Sequence, residues 1–173
     1  MTNQTTETNP ETPAARLAAL GLELPEPARP SFDYVPAVRD GHILYVAGQL
    51  PKQDGEVRIT GRCGEDVDLD TARTAAEICT LQGIACAAAE VGGINGITGV
   101  IRVTGFVAST PDFHQQPKII DAASALLRSV FGERGRHARS AVGAAALPRR
   151  SPVEIEFIFT VADTAEPERV DQL

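Results

Sequence analysis

The chain has 173 residues, 43% of them hydrophobic and 23% charged, which suits one soluble globular domain with a real core and leaves little room for a second. Its formal net charge of −7 argues against nucleic-acid binding, which needs clustered Lys and Arg to meet phosphates. With no Trp and only 5% aromatics, the core has to be built from Ala, Val, Leu and Ile.

The first 12 residues, MTNQTTETNPET, are polar, with almost nothing to bury, and read as a disordered tail. They lack the basic and apolar parts of a secretory signal. AARLAAL, Ala14 to Leu20, predicts a short helix stopped at Gly21. The Pro-rich run that follows completes a helix-plus-connector segment over residues 13–31. The main domain is expected over 32–163 and a frayed tail over 164–173.

Within that domain, Phe32–Val38 and Ile43–Leu50 read as two strands split by Arg39-Asp40-Gly41-His42, whose Asp-Gly is a hairpin signal. Pro36 demotes the first strand to an edge or a bulge. Gly48 permits either close approach of a ligand or a bulge. Lys52–Gly64 reads as a loop with a short strand at Val57–Ile59. Leu69–Val91 is Ala-rich and predicts a long helix capped by Asp68 or Asp70, with Gly83 admitting a closely packed strand. Ile97–Ser109 reads as a β-branched strand, with Gly99 and Gly105 as bulges or close contacts. Over Pro117–Phe131, Ile119, Ile120, Ala123, Leu126, Leu127, Val130 and Phe131 follow the helical period, and Gly132 caps the end. Arg139–Leu147 and the cleanly alternating Val153–Ala162 predict two last strands joined by a Pro-containing turn. Helices interleaved with a small strand set give an α+β fold, a two-layer α/β sandwich with two helices on one face of a mixed sheet. The other face, expected to carry small residues, is left to meet another subunit.

Cys63, Cys79 and Cys86 are odd in number and form no CxxC, so neither a disulfide framework nor a zinc site is indicated. They read as small buried hydrophobes, which fits a reducing, cytoplasmic setting. No apolar run reaches the ~18 residues that span a bilayer. His42, His114 and His137 have no metal-like spacing and read as surface groups. Arg134, Arg136, His137 and Arg139 form a short basic cluster that reads mostly as solvated surface.

The functional signal lies in HARSAVGAAALPRRSPVEIEFIFTVA, His137 to Ala162. A cation, Arg139, and two same-face carboxylates, Glu154 and Glu156, stand on strands expected to be neighbours. Such a pair suits a small carboxylic acid with a water beside it. Taken alone, Arg139 also reads as a surface or ion-paired residue, and either glutamate as solvent-facing.

The order of elements, with FDYVPAVRDG, ILYVAGQLP, ARSAV and ALPRRSPVEIEFIF, resembles the RidA/YjgF family, also known as endoribonuclease L-PSP, over about residues 30–163. The leading RLAALGLELPEP resembles a bacterial branch with an N-terminal helical extension. The resemblance implies a chorismate-mutase-like fold and a homotrimer with sites between subunits. It implies hydrolysis of reactive enamines and imines such as 2-aminoacrylate to 2-keto acids and ammonia, with no metal or organic cofactor. The family's arginine falls on Arg139 and its glutamate on Glu154, as catalytic residues. Substrate-binding positions fall on Tyr34, Ala47, Gly48, Ala141 and, for a helix asparagine, Ser124. Ala141 stands where the family usually has cysteine, and Tyr34 follows Asp33 where the family has proline. The implied partners are further copies of the chain and a small carboxylic or imino acid, with no nucleic acid and no membrane. Two alternatives stand beside this reading: a non-catalytic trimeric module that senses small carboxylates, and a ribonuclease.

Overall fold

In a computed structural model that describes residues 12–27 and 32–163, Thr12 accepts the Ala15 N–H and caps the first helix, α1 (Pro13–Ala19). The tails expected over 1–11 and 164–173 and residues 28–31 of the connector lie outside the described residues. Strands β1 (Ala37–Asp40) and β2 (Ile43–Gln49) form a hairpin with Asp40 opposite Ile43, and Gly41 takes φ +57° in its two-residue turn. The first strand therefore begins after Pro36, and Phe32–Pro36 lie outside the sheet, since proline supplies no N–H to a ladder. Arg39 and Asp40, expected in the turn, complete β1 instead. A small separate ribbon, β3 (Lys52–Gln53) with β4 (Glu56–Val57), replaces the strand expected at 57–59.

Asp68 accepts the Thr71 N–H at 2.8 Å and starts α2 (Leu69–Glu90). Strand β5 (Ile97–Ala108), helix α3 (Gln116–Phe131), β6 (Ala138–Ala144) and β7 (Val153–Val161) follow. The sheet order is β1-β2-β7-β5-β6. Among the described strands of this sheet, β5 and β6 run parallel and the other ladders are antiparallel. The sheet is thus mixed, as a two-layer sandwich of this kind requires. Helix α1 is a third, short helix that packs on α3 through buried Leu17.

The strands on either side of the Pro148 turn are not neighbours. β5 lies between β6 and β7, so the expected adjacency of Arg139 and Glu154 is corrected. The chain leaves β6 through Pro148, with Arg149 and Arg150 both at positive φ, and crosses to the far side of β5. A two-residue hairpin would have reversed it beside β6.

Helices α2 and α3 cover one sheet face. Val153, Ile155, Phe157, Phe159 and Val161 all point into that layer and are buried. Two glycines set the spacing. A Cβ on Gly83 would overlap the Phe157 ring, and one on Gly105 would overlap Ile120. The glycine in mid-α2, costly for a helix, is what lets helix backbone rest on an aromatic ring. All three cysteines are free and buried, as small core residues. Among the described residues no helix covers the opposite sheet face. That face carries exposed Val38, Tyr45 and Val142 as well as small residues, so it is more apolar than the sequence suggested.

Candidate functional site

The predicted site residues separate into two groups on opposite faces of the sheet. Arg139 pairs in register with buried Val103, so it points to the helix side. There its Nη1 donates to Asp121 Oδ1 at 2.7 Å and to Ser124 Oγ at 3.0 Å, both on α3. Its side chain is 24% exposed, against 58% for Asp121. It is therefore not a solvated surface arginine but one fixed by a carboxylate at the mouth of a groove. Ser124, the position matched to a helix asparagine, meets Arg139 directly. Ala141, two residues along the same edge strand, packs partly against the core. Among the described residues β6 has a neighbouring strand on one side only, so half its backbone polar groups lie along a sheet edge.

Histidine 137 was missed by the sequence reading, which placed it on the surface. It is partly buried; its Nε2 lies 3.0 Å from Ser124 Oγ, and its Nδ1 lies 2.7 Å from the Gly135 carbonyl oxygen. Burial pushes its pKa down, the Gly135 carbonyl pulls the other way, and the charges of Arg139 and Arg128 push it down further. A lone histidine has no spacing to announce it; only the turn over Gly132–Gly135 brings it back to α3.

The second group gathers at a β-bulge. The pairing of β2 with β7 passes from Val46–Phe157 to Gln49–Ile155, so Ala47 and Gly48 hold one residue more than the partner strand. The bulge reading of Gly48 holds, and it is the Glu154 carboxylate rather than a ligand that lies where its Cβ would stand. Glu154 pairs with Phe106 and faces away from the helices, as does Glu156, which pairs with Thr104. Ala47 and Glu156 line a shallow groove on this face with Tyr45 and Arg102. Tyr34 is half-exposed in the segment before β1. Glu154 is thus the glutamate seated against the bulge, and Glu156 the more exposed of the two.

Burial raises the Glu154 pKa, and the neighbouring charge of Glu156 raises it further. The carboxyl therefore keeps its proton to higher pH in the folded chain than in the unfolded one. The cost of ionising it is absent below the unfolded glutamate range and fully present above the folded pKa. Glu156→Gln is expected to lower the Glu154 midpoint, read by carbon-13 NMR of the side-chain carboxyl. An unmoved midpoint would mean the two carboxylates do not share a field.

Among the described residues no group of three His, Cys, Asp or Glu side chains is placed to hold a metal ion. Nor is any described helix long and apolar enough to cross a membrane.

These two clusters sit on a chain whose residues 14–161 match the model of the family described as "YjgF/chorismate mutase-like, putative endoribonuclease". The chain belongs to the RidA/YjgF family. It is 41% identical to Protein TCP17 of Trypanosoma cruzi over 146 residues, 84% of this chain and 91% of that one. The crystal structure of Atu1372 from Agrobacterium tumefaciens, a protein of unknown function, has a TM-score of 0.80 at 44% identity, covering 87% of this chain and 92% of that one. A "putative endoribonuclease" from Shewanella oneidensis reaches a TM-score of 0.83 at 32% identity, covering 87% and 99%. The chorismate-mutase-like fold inferred from sequence motifs is the fold observed.

Proposed function

We propose that the protein is an enamine/imine deaminase that hydrolyses 2-aminoacrylate-like intermediates to 2-keto acids and ammonia. The observation that carries this is the state of Arg139, a guanidinium anchored by Asp121 through one arm at a groove. An anchored planar fork suits a carboxylate received by its other donors. Ser124 orients that fork. The Ala141 backbone, on the same edge strand, adds a hydrogen-bonding group.

The second half of the reaction needs a water and a base. Glu154, with its raised pKa and its seat on the Gly48 bulge, has the properties of that base. Tyr34, Ala47 and Gly48 supply a hydroxyl and backbone around it. Within one chain the sheet separates the two halves, so the complete site assembles between copies. The β6 edge of one subunit meets the open face of the next, in a homotrimer. The exposed Val38, Tyr45 and Val142 give that open face the apolar character of a subunit contact.

The test is ammonia and keto-acid formation from 2-aminoacrylate generated in situ. Turnover above the spontaneous rate supports the proposal. Binding of 2-keto acids with no turnover would replace it by the carboxylate-sensing module.

A further inference from the structure

The groups around Ser124 fix the direction of every proton between them. The Gly135 carbonyl only accepts, so Nδ1 of His137 carries the hydrogen of their 2.7 Å contact. A neutral ring then has a lone pair at Nε2, which accepts the hydroxyl hydrogen of Ser124 across 3.0 Å. Ser124 Oγ in turn accepts an N–H of Arg139 at 3.0 Å. A hydroxyl is thus held between a base that would take its proton and a cation that would stabilise the oxyanion left behind. The carbonyl of Gly135 fixes the ring tautomer, the role a carboxylate plays in a serine triad. Burial and two arginine charges favour the neutral imidazole, which leaves its Nε2 lone pair able to receive a proton. The arrangement borders a groove of about 690 Å³ that Arg73 and Arg128 also line.

From this geometry we infer that Ser124 is a nucleophile activated by His137, and that it accepts acyl groups from esters whose acid half carries an anionic group. Ser124 Oγ bonds to the acyl carbon as its proton passes to His137 Nε2. The carbon–oxygen bond to the alcohol breaks, and the alcohol leaves with that proton. Water then attacks the acyl-serine, gives its proton to His137 and releases the acid, and the proton returns to Ser124. Arg73, Arg128 and Arg139 select the anionic acid half. None of these steps uses Glu154 or a second copy of the chain, so the inference goes beyond the imine reading and does not depend on it.

The probe is mono-4-nitrophenyl terephthalate, with neutral 4-nitrophenyl benzoate as comparison. Wild-type protein is expected to release nitrophenolate in a burst and to gain one acyl group per chain, which peptide mapping places on Ser124. The anionic ester is expected to acylate about tenfold faster than the neutral one, as one added ion contact gives. Ser124→Ala abolishes the adduct, and Ser124→Cys keeps it. His137→Gln slows acylation about 100-fold, as expected for loss of a general base, and removes its rise with pH. No adduct on wild-type protein, or an adduct mapped to another residue, overturns the assignment, and that mapping needs no variant to fold. Acylation without imine turnover would remove only the deaminase reading; imine turnover without acylation would remove only this one.

Discussion

Arg139→Ala is expected to lower kcat/KM for 2-aminoacrylate hydrolysis by about 10²–10³-fold, the range for losing one partner of a buried, charge-assisted contact. The side chain is three-quarters covered and held by Asp121 and Ser124, so its position is set before substrate arrives. Orientation supplied in advance is what a readily hydrolysed imine gains from a protein. Arg139→Lys is expected to recover only part of the loss, because a point charge cannot bond a carboxylate through two parallel N–H groups while also holding Asp121. Stability should fall by less than about 1 kcal/mol, since Asp121 is more than half exposed and water replaces its partner. Steady-state kinetics with a parallel melt separates the two effects. A rate within twofold of wild type would remove Arg139 from the chemistry.

Phe157→Ala is expected to cost about 3–5 kcal/mol, the range for deleting a fully buried aromatic ring. Phe157 is 1% exposed and stacks on Phe159 with centroids 5.6 Å apart and 12° between planes. The Cδ2 and Cε2 atoms of the ring lie against the backbone of α2 at Gly83, where no side chain exists to collapse into the space left behind. The cavity therefore stays open, and its cost adds to the lost transfer energy. The expected signature is a lower denaturant midpoint with an unchanged slope. A loss below about 1 kcal/mol would mean that α2 is not seated on β7, since truncating a packed ring costs several times that.

How far the sequence discloses this architecture depends on how local each signal is. Periodicity is local, and α2, α3, β5 and β7 lie within a residue or two of where spacing places them. Asp40-Gly41 marks a real hairpin, because a two-residue turn carries its geometry in its own residues. Gly83 as a packing glycine was legible because a costly residue in mid-helix needs a compensating contact. Strand order is not local. Sequence proximity favoured pairing β6 with β7, whereas β6 pairs parallel with β5 and the crossing depends on Arg149 and Arg150 adopting positive φ, which nothing in their side chains favours. The interposed β5 separates Arg139 from Glu154, and the pairing registers set the two on opposite faces. His137 escaped for a related reason. Its role comes from a turn that brings residue 137 against residue 124, and neither position has a pattern of its own.

In the proposed deaminase, Arg139 of one subunit and Glu154 of another complete one site. Mixing subunits carrying Arg139→Ala with subunits carrying Glu154→Gln tests this, after dissociation and reassembly confirmed by native mass spectrometry. Each variant alone is expected to be inactive. Random reassembly leaves about a quarter of the interfaces with both native residues, if each site draws one residue from each of two neighbours. Deaminase activity in the mixture should therefore recover to roughly that fraction of wild type. Mixed oligomers that stay as inactive as their parents would place both residues in one chain's site, or neither in any, and would contradict the account.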